Sequence, residues 1–122
     1  MLPIPTPRRA RLLRDSREDL VLPTLVLAAL DYWCQERLTN DAWLIFLDDL
    51  LRGSYRVEHP DLSDLRRARE LQATYADLGL GVVDSSIVAL TERLGERKLA
   101  TLDHRHFTVV RPNHVEAFEL LP

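Results

Sequence analysis

The chain has 122 residues, 46% of them apolar and 29% charged, with a formal net charge of −3. That length fits one domain with a real core, and the mild acidity excludes the strong cationic field of a general nucleic-acid binder. The single cysteine, Cys34, excludes an intrachain disulfide, and no apolar run approaches the roughly 20 residues needed to cross a bilayer.

Residues 2–7 carry three prolines and read as an extended lead-in. The N-terminal run Met-Leu-Pro-Ile-Pro-Thr-Pro-Arg-Arg has no apolar core followed by small residues, so no secretory signal is expected. A short helix is predicted from Arg8 to Asp15. Asp19 to Leu22 reads as a brief buried strand stopped by Pro23. From Thr24 the pattern is helical. Val26, Leu30, Trp33 and Arg37 form one stripe, with Leu27, Cys34 and Leu38 beside it, which predicts a buried helix. Cys34 in that run reads as a small core residue and fits a reducing cytoplasm.

Thr39, Asn40 and Asp41 are stop-and-cap residues. A second helix carries Trp43, Leu44, Phe46, Leu47, Leu50 and Leu51, and Gly53 ends it. Tyr55 to Glu58 is strand-like and His59-Pro60 breaks it. Asp61 to Asp64 reads as the N-cap region of a third helix, with Leu65, Ala68, Leu71, Gln72 and Tyr75 on its inner face. A helix over 84–94 follows, closed by Gly95. Lys98 to Leu102 is a strand, and Val109-Val110 and Phe118 to Leu121 read as short edge strands. Strands alternating with helices predict a parallel sheet covered by helices, with ligands beyond the carboxyl ends of the strands.

Two aspartates stand out. Asp84 opens an amphipathic helix and Asp103 ends a short apolar strand. If strand and helix pack side by side, both carboxylates reach one edge of the sheet, a donor set suited to a hard divalent cation such as Mg²⁺. Asp84 also suits a helix N-cap and Asp103 a turn after a strand, roles compatible with ligation. His104, Arg105 and His106 are either phosphate-facing or solvated loop residues. Ser85 and Ser86 stabilise the helix start or bond a ligand, because no general base is identifiable to make either a nucleophile. The arginines at 8, 9, 11, 14 and 17, and at 66, 67 and 69, form two clusters that are either solvated helix faces or RNA contacts. Trp33 and Trp43 read as packing anchors and Asp48-Asp49 as a solvated face.

The ordered set Tyr75-Ala-Asp-Leu-Gly-Leu-Gly-Val-Val-Asp84-Ser-Ser-Ile-Val-Ala-Leu90, then Leu99-Ala-Thr-Leu-Asp103-His-Arg-His-Phe107, then Arg111-Pro112 and Phe118-Glu-Leu-Leu-Pro122, resembles a PIN domain of the VapC type. That family comprises ribonuclease toxins of type II toxin–antitoxin pairs. Val26-Leu-Ala-Ala-Leu-Asp-Tyr32 also resembles the family's second helix motif. The resemblance implies an α/β fold, a three-layer α/β/α arrangement around a short parallel sheet, over a single PIN-like domain at 1–122. No segment matches the family's opening strand ending in aspartate. The helix motif usually carries a glutamate where Ala29 stands, and Asp31 lies roughly 200° around the helix from that position, out of place to substitute for it.

The resemblance further implies metal-dependent hydrolysis of RNA phosphodiesters. Asp84 and Asp103 would be the catalytic carboxylates and the ligands of Mg²⁺ or Mn²⁺, and Ser85, His104 and Arg105 would be substrate contacts. It implies an RNA substrate, a VapB-like antitoxin docked over the acidic cleft, a homodimer and a cytoplasmic location. The alternative expectation is a degenerate PIN fold that binds antitoxin or RNA without cleaving, favoured by Ala29 and the unmatched first aspartate.

Overall fold

A computed structural model describes residues 20–100 and 104–121. The elements fall into two compact units, Met1–Glu58 and His59–Pro122. The helix expected over 8–15 lies outside the described residues, as do Asp103 and the end of the strand expected to reach Leu102.

In the first unit, strand β1 (Val21–Pro23) runs parallel to β2 (Arg56–Glu58), with Leu22 opposite Val57. Pro23 closes β1 rather than stopping the chain before it. A two-stranded sheet leaves the missing N–H on an edge, where a proline is tolerated. Helix α1 (Thr24–Arg37) starts directly after it. The Thr24 hydroxyl donates to the Glu58 carbonyl at 2.8 Å, which ties the start of the helix to the end of β2. Only Val26, Leu30 and Cys34 of α1 are buried, and Tyr32 is 69% exposed, so the helix is half-buried rather than wrapped in core as its apolar circumference predicted. Burial raises the Cys34 thiol pKa and the neighbouring Asp31 carboxylate raises it further, which leaves an inert small hydrophobe at that position.

Thr39 caps helix α2 (Asn40–Leu51), its hydroxyl accepting from the Ala42 N–H at 3.1 Å. Gly53 follows α2 at φ +87°, a left-handed conformation that glycine adopts without a Cβ penalty. Trp43 stacks on Phe46, which also meets Tyr55. No residue of α2 is buried, and Leu44, Ile45 and Leu51 are exposed, Leu51 by 83%.

In the second unit, helix α3 (Leu62–Thr74) packs on α4 (Val82–Leu94). A capping box opens α3. The Asp61 carboxylate accepts from the Asp64 N–H at 2.9 Å, and the Asp64 carboxylate accepts from the Asp61 N–H at 3.0 Å. A hydrogen bond from the Ser63 hydroxyl and that from the Asp64 N–H hold the Asp61 carboxyl below the usual carboxylate range. The buried stripe of α3 is Asp64, Ala68 and Leu71, spaced i, i+4, i+7. Leu65, expected on the inner face, is exposed instead.

Two ion pairs join the helices. The Arg67 guanidinium donates to both Glu92 oxygens, at 2.7 and 3.1 Å, and that hydrogen bonding pushes its pKa up. Arg93 Nε donates to both Asp64 oxygens at 3.1 Å. Strand β3 (Lys98–Ala100) pairs in parallel with β4 (Glu119–Leu121), Leu99 opposite Leu120. Between them lies a short helix, α5 (His104–Val109), where a loop and an edge strand at Val109-Val110 were expected. Ile87, Val88, Leu90, Leu99, Phe107, Val110 and Phe118 are buried, with Phe107 and Phe118 meeting edge to face. Parallel pairing in both units and the alternation of strands with helices give the α/β class expected from the sequence. Among the described residues no helix is long and apolar enough to cross a membrane.

Candidate active site

The site is built where α4 begins. Leu80 is buried and its carbonyl accepts from Gln72 Nε2 at 3.2 Å, which fixes the approach of the chain. Gly81 is extended and serves as the N-cap, and the Ser85 N–H closes the first turn on the Gly81 carbonyl at 3.0 Å. The helix therefore starts two residues earlier than the sequence pattern indicated. Asp84 is its third residue and not its cap, and its side chain makes no cap bond. In the first turn its negative charge still suits the positive end of the helix dipole.

Freed from capping, the Asp84 carboxylate turns to α5. His106 Nδ1 lies 2.8 Å from Asp84 Oδ2. His106 is only 8% exposed, between the buried Phe107 and the turn that closes on Val110. Arg105 Nη2 approaches His106 Nε2 at 3.4 Å. A donor facing Nε2 makes that nitrogen the acceptor, so Nδ1 carries the proton and donates to Asp84. Helix α5 thus meets the N-terminal turn of α4.

The remaining candidates divide. Arg105 is exposed on α5. Asp103 and the side chain of His104 lie outside the described residues. Ser85, expected as a substrate contact, is fully buried in α4, and its hydroxyl has no partner among the described residues. The Ser86 hydroxyl donates to the Val83 carbonyl at 2.7 Å, a helix-start role. Asp31 lies on α1, within the first unit, and accepts from Gln35 Nε2 at 3.4 Å; Ala29 is exposed on the same helix. His106 is the residue whose part the sequence left undecided. It is 22 positions from Asp84, a separation that no local pattern bridges.

Among the described residues no three His, Cys, Asp or Glu side chains gather closely enough to hold a metal ion. Asp84 alone presents a carboxylate that is 29% exposed, with one oxygen engaged by His106. Hard oxygen of this kind suits Mg²⁺ or Mn²⁺, ions that keep several waters and need few protein ligands, and not a thiolate-seeking metal. Asp84 thus offers one hard oxygen donor of the kind such a cation takes.

No family model matches the chain. The chain is 32% identical over 108 residues to Ribonuclease VapC26 of Mycobacterium tuberculosis, an alignment that covers 88% of this chain and 80% of the relative.

Proposed function

The chain belongs to the VapC family of PIN-domain toxins, and from that premise we propose that it is a metal-dependent endoribonuclease, the toxin of a type II toxin–antitoxin pair. The observation that carries this reading is the Asp84 carboxylate, part exposed at the start of α4 and fixed from behind by His106 at 2.8 Å. Residues 1–122 act in it as one PIN domain.

Asp84 and Asp103 hold Mg²⁺ or Mn²⁺. When bound, the ion supplies a water of lowered pKa as nucleophile and offsets negative charge on the phosphate. Asp84 brings a fixed anionic oxygen to the site, and its rotation is limited by the His106 hydrogen bond. Arg105, exposed on the same short helix as His106, contacts the RNA phosphates, since a guanidinium suits a phosphate through paired donors, and His104 is proposed as a further contact on the family resemblance. Ala29 supplies no ligand, so the acidic set is smaller than in relatives with a glutamate there.

A VapB-like antitoxin is the cognate partner, and a homodimer and a cytoplasmic location complete the proposal. The exposed Leu44, Ile45 and Leu51 of α2 support a protein partner, because apolar side chains without cover among the described residues gain from burial against another surface.

The chemistry excludes one class of product. A water nucleophile leaves a phosphate on one fragment and never forms a ring through the ribose 2′-hydroxyl. End analysis of RNA cleaved by the purified chain is expected to give linear monophosphate and hydroxyl ends with no cyclic phosphate. A 2′,3′-cyclic phosphate would mean attack by the ribose, a reaction that needs no metal-held water, and would overturn this mechanism.

A further inference from the structure

We infer that His106 is a positioning residue for Asp84, fixing the orientation in which that carboxylate meets the metal. The inference rests on the metal-dependent reading above and assigns a part to a residue outside its ligand set. A free aspartate at a helix start samples several rotamers, and a ligand that must be ordered on binding loses affinity by that much. Here the sampling is already restricted. His106 is buried, so its ring cannot swing away. Nδ1–H donates to Asp84 Oδ2 at 2.8 Å. Nε2 faces Arg105 Nη2 at 3.4 Å, which selects the tautomer that has its proton on the Asp84 side. The short helix α5 carries both residues of this relay, and the Val110 N–H bonds the His106 carbonyl at 3.0 Å and ends the helix there. One carboxylate oxygen is thereby held and the other is left for a ligand. Hydrogen-bonded partners that orient ligating carboxylates are a general feature of metal sites, and their loss typically weakens metal binding or activity about 10-fold to 100-fold.

A histidine that merely filled the interior would affect folding and nothing else. The test therefore separates the two parts. Asparagine places an amide N–H near the position of the imidazole Nδ1–H, whereas alanine places nothing there. The full chain and its His106→Ala, His106→Asn and Asp84→Asn variants are to be compared for thermal unfolding, for Mn²⁺ affinity by the resonance signal of free Mn²⁺, and for RNA cleavage.

His106→Ala is expected to weaken Mn²⁺ binding about 10-fold or more and to slow cleavage in step, with His106→Asn recovering most of both. A folded His106→Ala that binds Mn²⁺ and cleaves like the parent, while Asp84→Asn loses both, would overturn the inference and leave the metal-dependent reading standing. If His106→Ala does not fold, a folded His106→Leu, which fills the space without a donor, decides: lost Mn²⁺ affinity supports positioning, and parental affinity overturns it. An Asp84→Asn chain with unchanged Mn²⁺ affinity would overturn the reading and the inference together.

Discussion

Replacing Asp84 with asparagine is expected to lower RNA cleavage about 100-fold or more, a barrier increase of about 3 kcal/mol, while leaving the chain folded. The substitution keeps the shape and keeps an acceptor for the His106 Nδ1–H, so the 2.8 Å hydrogen bond has a neutral successor. It removes the negative charge that a divalent cation requires. The structural cost is confined to a favourable charge in the first turn of α4, worth about 0.3–1 kcal/mol. Rate and stability are therefore separable in this variant: steady-state cleavage should collapse while the melting curve moves by only a few degrees. A folded Asp84→Asn chain that cleaves at the parental rate would remove Asp84 from the chemistry.

The largest effect on stability is expected at Asp64, far in role from the reaction. This carboxylate is 2% exposed and performs two tasks at once. It closes the capping box on the Asp61 N–H and receives Arg93 Nε on both oxygens at 3.1 Å, with Arg93 Nη2 also reaching the His59 carbonyl at 3.2 Å. Asp64→Ala loses the cap bond and the charge-assisted pair that joins α3 to α4. The Arg93 side chain is 34% exposed, so water compensates part of its lost partner and the full cost of a stranded buried charge does not apply. A loss of about 2–4 kcal/mol follows, which for a chain of this size lowers the melting temperature by roughly 10 °C or more. Arg93→Ala should also destabilise, because it leaves the buried Asp64 carboxylate without its cation. The double variant should cost less than the sum of the two, by about 1 kcal/mol or more. Strict additivity, read from urea or thermal melts of the four chains, would show that the pair is not coupled.

These two residues also mark where the sequence was legible and where it was not. Local signals worked where one residue type serves one purpose. Thr39 stops one helix and caps the next, and Gly53 and Gly95 end helices in the left-handed conformation their lack of a Cβ allows. Asp61 with Asp64 was correctly read as a helix start. Its capping box was the local half of the story, and the pairing of Asp64 with Arg93, 29 residues away, was the part no local pattern carries. Because Asp64 takes the inward position, Leu65 turns out to solvent, while Ala68 and Leu71 stay inward as expected.

The same competition explains Asp84. Aspartate is a favoured N-cap, and on spacing alone it opened a helix. The extended Gly81 starts the helix sooner, and Asp84 is then released to meet His106. The helix α5 was missed because six residues give no helical period to detect, and the β-branched Thr108-Val109-Val110 favours a strand. Packing decided otherwise: His106, Phe107 and Val110 are buried together on one side of a turn of helix. That short helix is what brings His106 to Asp84. The family resemblance carried by Tyr75–Leu90 and Leu99–Phe107 named the acidic residues but gave His106 no part.

The most direct measurement is RNA cleavage by the purified, folded chain with Mg²⁺, after chelation with EDTA, and after restoration with Mn²⁺. Cleavage that requires the metal, stops on chelation and returns with Mn²⁺ is the predicted result. A folded chain that leaves RNA intact at saturating Mg²⁺ and Mn²⁺, or one that cuts equally well in EDTA, would contradict it.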